Sequence, residues 1–169
     1  MNIVVAPMIL MIKTLIKYGL FYNVHCINQS DSIVPEGYRL PSYDDWCDLI
    51  TSLGSNLPKD KYSQSEVLIK LKSQKGWPGK IAFTNPLTGS NESGFTALPG
   101  GYLEHVMMPT IFHGKGQSVH WWTSDYATVC VSEYDKGIFT LKTAKNTDRY
   151  FDLKHSAFKE GKYMRLIKL

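Results

Sequence analysis

The sequence has few cysteines and no two of them close together. Its 169 residues include only Cys26, Cys47 and Cys130. They form no Cys-x-x-Cys pair, and neither they nor the five histidines have the spacing of a zinc site. An odd count also argues against a complete disulfide framework, which favours synthesis in a reducing compartment. We therefore expect no metal and no cofactor.

The sequence also lacks a strong net charge and a long uninterrupted apolar run. The net charge is +4, although nine Lys or Arg against three Asp or Glu fall between residues 136 and 169. These basic residues alternate with apolar ones, as on the solvated face of a strand, so we predict no nucleic-acid partner. Residues 1–17 are apolar, but Lys13 and Lys17 interrupt any membrane span. We interpret them as an N-terminal strand or extension, with a secretion signal as the alternative.

Two helices are predicted from capping signals and apolar spacing. The first covers residues 42–53, because Ser42 and Asp45 have capping-box spacing and Gly54 is placed to end it. Its apolar residues recur at helical intervals from Trp46 onward, which predicts one buried face. The second covers residues 63–75, opened by Ser63 and ended near Gly76.

The rest of the chain predicts strands and a long loop region. Residues 17–27 are rich in aromatic and β-branched residues and predict a strand. Some forty-five residues from Gly76 onward carry glycines, prolines and aromatics without a helical period, which is typical of a functional loop system. After Val119 the pattern returns to short strands ending in KYMRLIKL. Helices first and antiparallel strands last predict one α+β domain over residues 1–169.

Five stretches together carry a resemblance to a known family. They are VPEGYRLPSYDDW, KLKSQKGW, GSNESGFTALPGGY, HWWTSD and YMRLIKL. In this order and spacing, the chain resembles the Fibrobacter succinogenes major paralogous domain over residues 18–169. That family is similar to formylglycine-generating enzymes and to variable proteins diversified by retroelements, which share the C-type lectin-like fold. The resemblance implies two helices packed on a twisted antiparallel sheet, chain ends close together, and a long loop region that carries the binding surface.

The resemblance also implies roles for particular residues. Arg39 is expected to be held by backbone carbonyls or a carboxylate, with direct ligand contact as the alternative. Asn91 and Glu92 are expected to tie down loop backbone, with calcium binding as the alternative. Gly94, Gly100 and Gly101 are expected to need positive φ or a close backbone approach. The expected core residues are Trp46, Trp77, Phe95, Leu98 and Trp122.

Adjacent side chains of a strand point to opposite faces, so of Trp121 and Trp122 only one is expected in the core. The family pattern keeps the second, which makes Trp122 the core residue and leaves Trp121 for ligand contact. The expected ligand contacts are Tyr102, His120, Trp121, Asp125, Tyr126 and Tyr134.

Three functions fit the resemblance. The first is a non-catalytic module that binds a protein or glycan on a cell surface. The second is a structural or decoration protein of a larger assembly, such as a phage particle infecting gut Bacteroidetes. The third is an enzyme like the formylglycine-generating group, which is disfavoured because only Cys130 lies in the second half of the chain and no other catalytic signature is found.

The chain departs from the family pattern at two cysteine positions. Val34 stands where the pattern has Cys before Pro-Glu-Gly, and Leu166 where it has Cys after the final Arg. The resemblance implies that these two positions face each other as former disulfide partners. Loss of both cysteines together favours folding in the cytoplasm, including that of a virion protein, with the cell surface as the alternative.

Overall fold

The computed structural model describes residues 15–54, 65–77, 89–104, 111–125, 128–132, 139–142 and 160–169. Residues 15–18 form a helical turn. The helices that follow are α1 (Val24–Asn28), α2 (Ser30–Ile33), α3 (Tyr43–Ser52) and α4 (Ser65–Leu71). The strands are β1 (Tyr38–Arg39), β2 (Tyr102–Glu104), β3 (Ile111–His113), β4 (Ser118–Trp122), β5 (Thr128–Ser132), β6 (Phe139–Lys142), β7 (Glu160–Gly161) and β8 (Ile167–Lys168).

The described strands form three small antiparallel sheets. Their orders are β4-β5-β6, β3-β2-β7 and β1-β8. With helices earlier in the chain and antiparallel strands later, this is an α+β arrangement, as predicted. The pairing of β1 with β8 also confirms that the first and last described strands lie side by side. The strands β2 and β3 lie within the stretch that was expected to be loop. They were not predicted because each is only three residues long, too short to show an alternating pattern.

Helix α3 forms where its capping signals predict. The Ser42 hydroxyl accepts a hydrogen bond from the Asp45 amide at 3.2 Å, and the Asp45 carboxylate accepts one from the Ser42 amide at 2.6 Å. Gly54 follows the C-cap with φ +103°, and its amide donates to the Thr51 carbonyl. The helix buries Trp46, as expected.

The carboxylate that caps α3 also holds Arg39. The guanidinium makes a two-pronged contact with Asp45, at 2.5 Å from Nη1 to Oδ2 and 2.7 Å from Nη2 to Oδ1. It also donates to the Leu40 carbonyl at 3.2 Å. The prediction that a carboxylate or backbone carbonyls hold Arg39 is therefore confirmed, and the Arg-Leu-Pro segment is tied to the helix that it precedes.

Helix α4 ends at Leu71, before the predicted end at residue 75. After it the chain pairs with the loop that carries Ala97: the Ser73 amide donates to the Ala97 carbonyl at 3.0 Å, and Lys72 forms a parallel bridge with Ala97. These tertiary hydrogen bonds replace the next helical turn. The predicted cap Ser63 lies outside the described residues.

The predicted strand over residues 17–27 is wrong for most of its length. Tyr22 alone makes a strand-like bridge, to Lys162, and Val24 begins helix α1. The side chain of Asn23 accepts hydrogen bonds from the amides of His25 and Cys26 at 3.1 and 3.3 Å. This local N-cap outweighs the β preference of the aromatic and branched residues. The expected N-terminal strand is also contradicted at residues 15–17, which are helical, and its earlier part lies outside the described residues.

Two hydrophobic cores lie on opposite sides of β4. The first core contains Trp46, Leu68, Trp77, Ala97, Val119, Trp121, Val129, Val131 and Tyr163. The second core contains Val24, Ile27, Leu40 and Trp122. Trp46, Trp77 and Trp122 are buried as predicted, whereas Phe95 and Leu98 are only half-buried. Trp121 is 5% exposed, so the expectation that only one of the two adjacent tryptophans is core is wrong.

Two glycines allow the loop after Leu98 to pass close to its neighbours. A Cβ on Gly100 would lie 2.3 Å from the hydroxyl of Tyr163. Gly101 has φ +77°, and a Cβ there would lie 2.1 Å from the His113 carbonyl oxygen. The predicted need for glycine is confirmed at both positions, and Gly94 has the predicted positive φ of 69°.

Asn91 ties down the loop that precedes Phe95. Its side-chain oxygen accepts a hydrogen bond from the Thr96 amide at 2.7 Å, which confirms the structural role expected for Asn91. Glu92 is exposed, and its amide donates to the Ser90 hydroxyl at 3.4 Å. The Ser93 hydroxyl donates to the Lys70 carbonyl at 2.7 Å and so holds the same loop. The side chains of Ser90 and Ser93 therefore have the role that was expected of Glu92.

The double role of Asp45 predicts an acid-sensitive contribution to stability. Its pKa lies well below the ordinary 3.8 because of the Arg39 hydrogen bonds, aided by those from Ser42 and opposed by partial burial. The folded state therefore binds fewer protons than the unfolded state as the pH falls through the ordinary carboxyl range. Asp45→Asn should lower the melting temperature above about pH 5, and the difference from the unmodified protein should shrink toward about pH 2.

Asp48→Asn is the matched control, because this exposed carboxylate lies on the same helix. It should leave the melting curve nearly unchanged over the whole pH range. An Asp45→Asn protein that melts at the unmodified temperature above pH 5 would contradict the role given to Asp45.

The resemblance implies a disulfide between the positions of Val34 and Leu166, which predicts that one can be engineered there. Val34 and Leu166 are both partly buried and pack against the second core. If their backbones retain the geometry of a disulfide pair, Val34→Cys with Leu166→Cys should form a bridge under oxidising conditions. The bridge should stabilise the fold by roughly 2 to 4 kcal/mol, measured by denaturant unfolding with and without reductant. Free thiols in the oxidised double variant would refute the pairing.

Candidate functional site

Strand β4 presents His120 to the adjacent strand β5. In the β4–β5 register, His120 lies opposite Cys130, and Trp122 lies opposite Thr128. The Nε2 atom of His120 is 3.4 Å from the Cys130 sulfur. His120 and Cys130 are each partly exposed, while the tryptophan on the same face is buried. The strand thus holds an imidazole and a thiol in contact over a rigid hydrophobic support.

The hairpin of β2 and β3 adds a second imidazole and a phenol. Tyr102 lies opposite His113, and their rings stack at 5.1 Å between centroids with an interplanar angle of 20°. The Tyr102 ring also lies 4.5 Å from the His120 ring, so it connects the two sheets. The backbone fixes this approach, because the Gly101 amide donates to the Ser118 carbonyl at 2.7 Å.

A carboxylate accompanies the second imidazole. The Nε2 atom of His113 lies 2.9 Å from Oε2 of Glu104, and each side chain is about one-third exposed. The two side chains form an ion pair when His113 is protonated. The Nε2 atom of His113 makes no hydrogen bond by geometric criteria. Because Glu104 and His113 are on the Tyr102 face of the hairpin, all three side chains lie on one surface.

Lys162 also borders this surface. Its ammonium donates to the Thr128 hydroxyl at 2.8 Å, lies 2.5 Å from Oε2 of Glu160, and sits 3.9 Å from the centre of the Trp122 ring. The side chain is 7% exposed. A buried ammonium needs such partners, so Lys162 is structural support here. We name the set Tyr102, Glu104, His113, His120, Cys130, Glu160 and Lys162 the polar cluster.

The surroundings of Tyr102 in the polar cluster shift the pKa of its phenol. Burial raises its pKa, and Coulombic interactions with Glu104, Glu160 and Cys130 raise it further. Tyr102 is therefore a neutral hydrogen-bonding group at physiological pH. Within the described ranges, no three His, Cys, Asp or Glu side chains are grouped as a metal site.

The structure separates the predicted contact residues. The rings of Tyr102 and His120 are in contact. Trp121 lies in the first core, and Asp125 lies at the start of helix α3. The Asp125 carboxylate accepts a hydrogen bond from the Tyr43 amide at 3.1 Å, where it helps to begin helix α3. Tyr126 and Tyr134 lie outside the described residues.

Sequence reasoning missed five members of the polar cluster: Glu104, His113, Cys130, Glu160 and Lys162. Glu104 and His113 lie in the stretch interpreted as loop, so their strand pairing was not predicted. For Cys130 a signal existed: it occupies the alternating position of a predicted strand that follows the His120 strand. The sequence alone does not give the register that places them opposite each other.

A comparison with protein families decides the relationship. The model of the Fibrobacter succinogenes major domain matches residues 11–166. The chain belongs to this family. No curated protein and no solved structure matches it.

The motifs of the Fibrobacter succinogenes major domain contribute to both the core and the polar cluster. The Arg-Leu-Pro segment gives Arg39, which is bound to Asp45, and the buried Leu40. The Leu-Pro-Gly-Gly-Tyr segment ends at Tyr102, and the His-Trp-Trp segment supplies His120 and two core tryptophans. As far as the chain is described, no helix is long and apolar enough to cross a lipid bilayer.

Proposed function

We propose that this Fibrobacter succinogenes major domain is a non-catalytic binding module with a C-type lectin-like fold. Its ligand surface is the polar cluster, and its ligand is a protein or glycan. The observation that carries the proposal is the contact of Tyr102 with both His113 and His120, because it gathers aromatic and hydrogen-bonding groups from two sheets on one surface.

The chemistry of the polar cluster suits recognition of a polar ligand. Tyrosine and histidine combine a flat ring with a polar group, so one side chain offers both stacking and hydrogen bonds. Ile111 lies opposite Glu104 in the hairpin and is 47% exposed, which adds an apolar contact beside the polar groups. Binding sites typically combine such apolar surface with a few well-placed polar groups.

Rigid support favours the same proposal. His120 is on a strand whose neighbours Val119, Trp121 and Trp122 are all buried. Tyr102 follows a glycine whose backbone is fixed to β4 by a hydrogen bond. A ligand that contacts these side chains therefore pays little conformational entropy on the protein side. The lectin-like fold is supported by the family membership, by the β1–β8 pairing and by helix α3 after the Arg-Leu-Pro segment.

The experiment is a screen of glycans and bacterial surfaces, followed by affinity measurements on the strongest ligand. Tyr102→Ala should weaken binding by about tenfold or more, because it removes the ring that joins the two imidazoles. His120→Ala should act in the same direction. Tyr38→Ala is the matched control, because Tyr38 is an exposed tyrosine on β1 outside the polar cluster.

Cys130→Ser tests the enzyme alternative raised by the thiol–imidazole contact. In a binding module this conservative change should weaken affinity much less than Tyr102→Ala does, and no glycan in the screen should be chemically changed. Turnover of a ligand that disappears with Cys130→Ser, in a protein that still folds, would overturn the non-catalytic proposal. Equal affinity of Tyr102→Ala, His120→Ala and the unmodified protein would overturn the placement of the site.

A further inference from the structure

A cavity of about 540 Å³ lies apart from the polar cluster, because no member of that cluster lines it. Val119 and Trp121 line it, whereas His120 between them belongs to the polar cluster. The other walls come from the helical turn at residues 15–18, the segment with Val34, and the segment of residues 163–166. This volume is within the range of small-molecule sites in proteins.

The charged side chains that line the cavity are both cationic. They are Lys17 and Arg165, and the described lining contains no Asp or Glu. In the described part of the chain, neither residue forms an ion pair with a carboxylate. Both residues are exposed to solvent. Two cations that line one cavity without a carboxylate in the described lining favour an anionic ligand there.

Arg165 is held in place before any ligand binds. Its Nη2 donates to the Phe95 carbonyl at 2.9 Å, and its guanidinium lies 4.5 Å from the centre of the Phe95 ring. Arg165 is an exposed residue, yet partial desolvation of its guanidinium lowers its pKa. The fixed planar guanidinium suits the geometry of a carboxylate.

The remaining lining supplies both rings and hydroxyl groups. Tyr18, Tyr22 and Trp121 contribute aromatic side chains, and Thr96 contributes a further hydroxyl. Aromatic rings pack against the apolar face of a sugar ring, while hydroxyl groups bind its polar edge. We propose that the cavity binds a small carboxylated sugar, with the carboxylate between Lys17 and Arg165 and the ring against the aromatic lining.

The proposal is tested by calorimetric titration with four probes that separate ring from charge. Glucuronate carries both features, glucose carries the ring alone, acetate carries the carboxylate alone, and benzoate carries the carboxylate on an aromatic ring. Glucuronate should bind at least about tenfold more tightly than each of the other three. Amide chemical shifts of Gly19 and Met164 should move on titration, because both residues line the cavity.

Variants then assign the charges. Lys17→Met and Arg165→Gln should each weaken glucuronate binding about tenfold, since each removes one charge-assisted contact. Arg165→Lys should recover part of the loss. Lys168→Met is the matched control, because Lys168 is an exposed lysine outside the cavity lining, and it should bind as the unmodified protein does.

The polar cluster provides the control that separates this proposal from the proposed function. Tyr102→Ala should leave glucuronate affinity unchanged, because Tyr102 does not line the cavity. Equal binding of glucuronate and glucose, tighter binding of benzoate, or no glucuronate binding up to about 10 mM would each overturn the proposal. None of these results would bear on the ligand of the polar cluster.

Discussion

Strand β4 is buried on both faces, and the other described elements are arranged around it. Trp121 packs into the first core, with ring centroids 5.4 Å from Trp46 and 5.5 Å from Phe95. Trp122 packs into the second core, and its indole donates to the Tyr22 carbonyl at 2.7 Å. Beyond its pairing with β5, the strand also bonds to Tyr163, since the Tyr163 amide donates to the His120 carbonyl and the Trp122 amide donates to the Tyr163 carbonyl. One strand therefore joins both cores to the C-terminal segment.

The two-sided burial of β4 explains where chemistry is available. Of its five residues, His120 alone is not buried, so the strand presents this one side chain to its surroundings. Tyr102 reaches it because Gly101 lies beside β4. Val119 and Trp121 form part of the lining of the cavity. The polar cluster and the cavity therefore share β4 but no lining residue.

The sequence predicts those features that depend on neighbouring residues. Helix α3 was predicted because Ser42 and Asp45 satisfy each other's backbone and side-chain groups within one turn. The same local logic failed near Asn23, where the capping side chain was overlooked in favour of strand propensity. The early end of α4 was not predictable locally, because Ala97, twenty-five positions beyond Lys72, supplies the competing pairing. Trp121 was misplaced because alternation identifies two faces but does not tell whether both are covered.

In the candidate site, too, the sequence predicts individual residues but not the contacts between distant segments. Tyr102 and His120 were predicted from family motifs, but their ring contact depends on how the β2–β3 hairpin lies against β4. His113 and Cys130 enter the site only through strand register, and register depends on turns and on the buried pattern together. The cavity combines segments from both ends of the described chain, so no local pattern predicts it.

The most direct test of this account is the unfolding free energy of Trp121→Ala and Trp122→Ala, measured separately in denaturant. If β4 is the support for two independent cores, each variant should lose about 3 to 5 kcal/mol. His120→Ala, the half-buried residue between Val119 and Trp121, should lose much less. A loss below about 1 kcal/mol for either tryptophan would contradict the two-sided burial of β4 from which both sites are derived.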